Sequence, residues 1–364
     1  MWFALALAFM VLAQASQGRT APFYFGADLS YVNEMEDCGA QYRDRGVRSD
    51  PFVILHSHGA NLVRVRLWNS PEWTRYSTLP DVEKTIARAR AQHMQVLLDF
   101  HYSDTWADGD HQTIPKAWAN IKGADAQAKL LYQFTFDTLR ALDARGLMPD
   151  IVQVGNESNP ELMGNGQKDQ PIDWVRNAKL FKAGIAAVRA AGALSSTHPK
   201  VMVHIAQPEH ADEWFPKATA AGITGYDIIG LSYYPKWSKR DLPGLGQTIS
   251  NLHTTYGVDV MVVETGYPWT LENVDPQANL LGQDGLLTGY PATPVGQARF
   301  LTDLTQTIID HGGNGVVYWE PAWVSTHCST PWGQGSSWEN ATLFDFHKGN
   351  DALPAMDFMR HSYR

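Results

Sequence analysis

Basic residues are in deficit, with 29 Lys and Arg against 38 Asp and Glu for a formal net charge of −9. No basic patch is visible, and phosphate binding needs one, so a nucleic-acid partner is excluded. Charge of either sign is modest at 18%, beside 44% hydrophobic residues. That balance buries a core and rules out a disordered polymer. No Gly-rich fingerprint follows any apolar run, which removes support for a dinucleotide site. Internal repeats, low-complexity tracts and a Pro/Ser-rich linker are also missing, and the chain reads as one catalytic unit. Long apolar runs are lacking too: Trp2 to Leu12 is about eleven residues, where a bilayer span needs roughly 20. Ala13-Gln14-Ala15 ends that run with the small-x-small pattern of a signal peptidase site. A signal peptide over residues 1–15 is therefore expected, with the mature chain at 16–364 exported to periplasm, cell surface or medium. No Lys or Arg precedes the run, and an N-terminal core strand is the alternative. Cysteine is scarce. In an oxidising compartment Cys38 and Cys328 either pair or stay free thiols.

What is present is an alternation. Short β-rich runs fall at residues 23–30, 62–68, 95–101, 151–156, 200–207, 227–234, 259–264 and 315–320. Amphipathic stretches lie between them, among them 81–92, 126–145, 174–191 and 295–311, with Phe181, Ile185 and Val188 on one helical face. Gly59, Gly146, Gly192, Gly222, Gly257 and Gly312 punctuate these units where a helix C-terminus wants a left-handed residue. Strand alternating with helix makes a parallel sheet, since parallel neighbours need a crossover. Eight units beginning with a strand fit the α/β class as a single (β/α)8 TIM barrel.

Barrel enzymes carry their chemistry at the C-terminal ends of the strands. Polar and aromatic residues collect there: Asp28, Arg66 to Trp68, Asp99 to Tyr102, Asn156-Glu157, Gln207 to Glu209, Tyr233-Tyr234, Glu264, and Tyr318 to Glu320. Glu157 and Glu264 end strands four and seven, which face one another across a barrel mouth. Two carboxylates about 5 Å apart suit a retaining glycosidase, one attacking the anomeric carbon while the other protonates the leaving oxygen. Burial and mutual repulsion raise the acid's pKa and keep it protonated near neutral pH. Asn156, beside the acid, is placed to bond a sugar 2-hydroxyl. Arg64 and Arg66 alternate and so share a face; Arg66, nearer the mouth, is the one expected beside the nucleophile, holding it ionised. Glu320 reads as support, and Asp28 and Asp99 as orienting neighbouring His and Arg residues. Thirteen Trp, many at strand ends or in the following loops, suit stacking on sugar rings. His56 and His58 diverge on a helix, and His101, His204 and His210 match no zinc spacing, so no catalytic metal is expected.

Phe25-Gly-Ala-Asp-Leu-Ser-Tyr31, Leu62-Val-Arg-Val-Arg-Leu-Trp68, Leu98-Asp-Phe-His-Tyr-Ser-Asp104, Val154-Gly-Asn-Glu157, Val263-Glu-Thr-Gly-Tyr-Pro268 and Trp332-Gly-Gln-Gly-Ser-Ser-Trp-Glu-Asn340 together resemble glycoside hydrolase family 53. These are the arabinogalactan endo-β-1,4-galactanases, retaining enzymes of clan A. The resemblance spans nearly the whole mature chain. It implies a (β/α)8 barrel that cleaves internal β-1,4-galactosyl bonds of type I pectic galactan with retention; a monomer with no membrane partner and no cofactor for catalysis is expected. By the same resemblance Glu157 is the acid/base and Glu264 the nucleophile. Asn156, Arg66, His101 and one of Tyr233 and Tyr234 form the supporting shell, and Trp319 floors the −1 subsite. Bacterial members carry a structural calcium after strand seven on an Asp-x-His-x-Asn pattern; here Asp275-Pro-Gln-Ala-Asn279 puts Gln277 at the His position. Oxygen ligands still suit calcium, and solvated loop residues are the alternative. In the barrel so implied, the loops after strands one and eight are neighbours, and a Cys38–Cys328 bridge is expected. Two other readings remain: a retaining glycosidase acting on mannan, glucan or xylan, and a carbohydrate-binding barrel without catalysis. The second would want one of the two glutamates replaced.

Overall fold

The computed structural model describes residues 23–164 and 171–364. The signal peptide expected at residues 1–15 lies outside the described residues. Eight parallel strands close a barrel: β1 (Tyr24–Asp28), β2 (Leu62–Leu67), β3 (Gln95–Phe100), β4 (Ile151–Val154), β5 (Lys200–Ala206), β6 (Ile228–Tyr233), β7 (Asp259–Thr265) and β8 (Gly315–Tyr318). Each pairs with its sequence neighbours, and β8 closes on β1. Seven crossover helices, the first of them short, follow β1 to β7 in turn: α1 (Pro51–Ser57), α2 (Leu79–Ala91), α3 (Ala124–Asp143), α4 (Trp174–Gly192), α5 (Pro208–Ala220), α6 (Leu242–Tyr256) and α7 (Pro294–Asp310). The eighth unit departs from the expected pattern, since a 3₁₀ helix, Pro354–Arg360, follows β8.

Local chemistry sets the helix ends. Asp50, Asp173, Asp241 and Thr293 each stand at an N-cap, their side chains accepting hydrogen bonds from Phe52, Val175, Gly244 and Gly296 N–H. Proline occupies the first turn in three of these four, where its missing N–H costs nothing. Gly257 ends α6 in the left-handed conformation (φ 65°). Gly192 is a correction: it is the last residue of α4 and has no positive φ, and Ala193 caps the helix. Phe181, Ile185 and Val188 are buried on the inner face of α4 as their spacing requires.

Inside the barrel, the alternation of each strand builds two layers. The lower is apolar, drawing Tyr24, Leu62, Leu97, Ile151, Met202, Ile228, Met261, Val263 and Val317 from all eight strands. Gly230 gives the space this layer needs: a Cβ there would lie 2.8 Å from Met202 Sδ. Two residues further along β2 to β5 stand Arg64, Asp99, Gln153 and His204, and four further along β1 and β6 stand Asp28 and Ser232, so the side chains above that apolar floor turn polar and form the floor of the mouth.

The loop after β1 and the segment after β8 are tied twice. A four-stranded sheet joins Tyr42–Asp44 and Val47–Ser49 to Phe344–Asp345 and Asp351–Ala352. Runs of two or three residues carry no readable period, so the sequence does not announce them. Beside them Cys38 and Cys328 are disulfide-bonded across 290 residues, with Cα atoms 5.8 Å apart. In the chain-entropy model a loop of that length is worth roughly 6 kcal/mol. Reduction, or Cys328→Ser, is expected to lower the melting temperature measured by calorimetry; identical melting of oxidised and reduced protein would refute it.

Candidate active site

Asp28, Arg64, Asp99, Gln153, His204 and Ser232 stand inward above the apolar layer, and all are buried. Glu264 reaches the same level by a different device. Val263 packs in the floor, so strict alternation would turn Glu264 outward. The register of β7 slips there against both neighbours: Leu231 pairs with Val262 and Ser232 with Glu264 on one side, Val316 with Val262 and Tyr318 with Thr265 on the other. This bulge inserts one residue and aims the carboxylate into the mouth. Glu157 is aimed by its backbone, with Gly155 at φ 82° and Glu157 itself at φ 40°. A side chain at residue 155 would meet Ser158 Oγ at 2.5 Å, so glycine is needed there. Left-handed backbone at a non-glycine residue is costly and concentrates where function demands it.

Carboxylate oxygens of Glu157 and Glu264 and a ring nitrogen of His204 all lie within 4.8 Å of one another. The two acids have different surroundings. Glu264 Oε1 is 2.8 Å from Arg64 Nη1, and its Oε2 accepts from Tyr234 Oη at 3.2 Å. Among the described residues Glu157 has no cation in contact; its Oε1 accepts from Ser232 Oγ at 2.5 Å and its Oε2 from Gly109 N–H at 3.2 Å. Burial pushes Glu157 up to about 7, against the hydrogen bond from Ser232. Burial raises Glu264 as well, with Arg64 opposing it and the Glu157 charge adding to it. Two carboxylates this close retain a proton between them, and the Arg64 contact puts the negative charge on Glu264 and the proton on Glu157.

Arg66 corrects the expectation from sequence. It does not meet the nucleophile position; its Nη1 bonds Glu320 Oε1 at 2.7 Å, and its guanidinium lies over the rings of Tyr31 and Trp106 at 4.2 and 4.3 Å. Arg64, one pleat deeper, bonds Asp28 and Asp99, each at 2.8 Å, as well as Glu264 and Asn156. Three carboxylates hold Arg64 charged although burial works against it. His101 accepts from Trp68 Nε1 and Ala107 N–H at Nδ1, while Nε2 bonds Asp99 at 3.0 Å. Asn156 Oδ1 accepts from Arg64, and its Nδ2 donates to Ala107 O at 2.7 Å. Tyr233 and Tyr234 point to opposite faces. Tyr234 enters the mouth, whereas Tyr233 packs in the outer core with its hydroxyl on Arg240 O, so Tyr233 is not a site residue. Ser232, Gln153 and the Gly109 N–H are functional groups not singled out from sequence; inward polar residues on apolar strands were their signal.

These residues floor a groove of about 640 Å³. Its walls include Trp106, Trp237, Trp319, Trp323, Trp332 and Trp338. Trp332 sits at 47% exposure on the hairpin Ser329–Gln334, four residues past the disulfide-bonded Cys328, and meets Trp73 edge to face at 5.1 Å. Trp319 packs at right angles on Trp338, ring centres 4.8 Å apart, and lines the groove.

The model of glycosyl hydrolase family 53 matches residues 24–359. The chain belongs to that family. It is a glycoside hydrolase with the family's (β/α)8 fold. An arabinogalactan endo-beta-1,4-galactanase of Cellvibrio japonicus is 50% identical over 366 residues, covering 99% of this chain and 96% of that protein. An endo-beta-1,4-galactanase of Bacillus subtilis is 33% identical over 388 residues, covering 95% of this chain and 87% of its own. Among solved structures, the Ignisphaera aggregans GH53 catalytic domain superposes with a TM-score of 0.84 at 31% identity, covering 98% of this chain and all of that one.

Proposed function

We propose that this family 53 hydrolase cleaves internal β-1,4-galactosidic bonds of type I galactan by double displacement, with Glu264 as nucleophile and Glu157 as acid/base. The observation that carries the mechanism is the carboxylate pair within 4.8 Å, one member on Arg64 and the other on neutral donors. That spacing leaves no room for a water between nucleophile and sugar, which favours retention. Glu264 attacks the anomeric carbon while Glu157 gives its proton to the departing O4. Glu157, then ionised, takes a proton from the water that releases the glycosyl enzyme. Asn156 offers its second Nδ2 hydrogen to the sugar 2-hydroxyl, and Trp319 supplies the apolar face beneath the ring. The galactan substrate rests on the relatives' activity. A reducing-end assay on potato galactan, with mannan, xylan and carboxymethylcellulose alongside, tests it. Rapid viscosity loss on galactan alone is expected; activity on another glycan instead would discard the substrate and keep the barrel.

Export belongs to the same reading, supported by the N-terminal apolar run and by a disulfide, which persists in oxidising compartments. No helix among the described residues is long and apolar enough to cross a membrane. A structural calcium is a further part. Asp275, Gln277, Asn279 and Glu339 offer only oxygens, which fits that ion. Asn279 Oδ1 and Glu339 Oε2 are buried without a partner, and burial together with the Asp275 charge pushes Glu339 up to about 7. The same loop braces the Trp332 hairpin: a Cβ at Gly335 would collide with the Asp275 carboxylate. Calcium returned to chelator-treated protein is expected to raise the melting temperature, by about 2.7 kcal/mol of stability at a hundredfold excess over Kd. Unchanged melting in calcium would remove the ion.

A further inference from the structure

Two buried side chains that do not face the scissile bond lead to Glu157. His204 on β5 is fully buried, and its Nδ1 lies 3.3 Å from the Glu157 backbone N–H and 3.1 Å from Gln153 Nε2. Both neighbours are donors, so Nδ1 accepts. Asn156 Oδ1, 2.9 Å away, already accepts from Arg64 Nη2 at 2.7 Å, and Nδ1, with the Glu157 N–H aimed at it, has no hydrogen to give to that oxygen. The hydrogen of the imidazole therefore sits on Nε2, which is 2.8 Å from Ser232 Oγ. Ser232, filled on its acceptor side, turns its own hydrogen to Glu157 Oε1 at 2.5 Å. With Gly109 N–H on Oε2, both carboxyl oxygens accept a hydrogen bond from the protein.

The geometry points to His204 and Ser232 as positioning residues for the acid/base, a relay of fixed direction that orients the Glu157 carboxyl and sets how readily it gives up its proton. The inference rests on the assignment of Glu157 as acid/base. A donor aimed at Oε1 stabilises the ionised form, which the second half-reaction needs, while burial favours the protonated form, which the first half needs. Burial is the larger of the two effects on Glu157, and the Ser232 bond restrains it. The relay keeps its direction because His204 is held neutral: burial and the nearby Arg64 charge both lower it well below an ordinary histidine. The other charged or titratable groups around Glu157 are Asp108 from the loop after β3, Arg64 on β2, Tyr234 on β6 and Glu264 on β7. None of them bonds Oε1.

The test is the pH profile of kcat/KM on soluble galactan. Ser232→Ala removes the donor, and the alkaline limb is expected to move up by about one pH unit. Ser232→Thr keeps the hydroxyl and is expected to restore the native limb. Ser232→Cys, close in volume and a weak donor, moves the limb in the same direction as alanine and covers the case in which alanine fails to fold. His204→Gln shifts it less, since Ser232 remains but loses its fixed direction. A fall in kcat with the limb unmoved in both the alanine and cysteine variants, or a limb moving to lower pH, overturns the relay. In Glu157→Gln the limb should vanish on an aryl galactobioside. If it persists there, the acid/base assignment itself fails and the relay falls with it.

Discussion

Glu264→Gln should stop turnover on galactan, by at least about 10⁴-fold in kcat, with the fold and substrate binding preserved. The amide has the shape of the carboxylate but cannot form the glycosyl ester on which double displacement depends. The surroundings tolerate the exchange. Arg64 keeps Asp28 and Asp99, each at 2.8 Å, so its charge remains compensated when the third partner becomes neutral. Tyr234 Oη can still donate to the amide oxygen. Melting should therefore change little while activity disappears, a combination that separates a chemical role from a structural one. Reducing-sugar release and calorimetry on the same preparation check it. Retention of more than about a hundredth of native kcat would remove Glu264 as nucleophile, since loss of a covalent-catalysis residue costs far more.

The barrel and both glutamates were legible because they follow from alternation that repeats. Eight apolar runs with polar ends predict eight strands, and the barrel so predicted puts the ends of strands four and seven, with Glu157 and Glu264, across one mouth. Where the sequence fell short, a geometric detail intervened that no period encodes. A bulge of one residue decides that Glu264 faces inward although Val263 does too. Arg64 and Arg66 are equivalent in pattern, and the partners around each, rather than height along the strand, decide which one meets Glu264: Arg66 is taken by Glu320, while Arg64 sits among Asp28, Asp99 and Glu264. Tyr233 and Tyr234 are identical in type, and the pleat sends one into the outer core. The short strands that tie the first loop to the last segment were invisible, since two residues have no period. Ser232 was overlooked because a lone serine in an apolar strand looks unremarkable until its neighbours across the barrel are known.

Glu157→Gln should divide substrates by leaving group. On galactan the departing group is a sugar hydroxyl, which needs the proton, and the loss should be about 10²–10⁴-fold, the usual worth of a general acid. On a dinitrophenyl galactobioside the leaving group departs without protonation, so the first step should stay near the native rate. The second step then lacks its base, and the glycosyl enzyme accumulates, visible as a burst of dinitrophenol followed by a slow phase. Azide, a nucleophile that needs no base, should speed that slow phase. The pH dependence has a fixed sign. Burial pushes the Glu157 carboxyl up to about 7, so in the free native enzyme the acid is protonated below that value and lost above it. Native kcat/KM on galactan should accordingly fall as pH rises through about 7, and the variant should lose that limb. Equal losses on both substrates would undo the assignment of Glu157, because a residue that only shaped the groove would slow every leaving group alike.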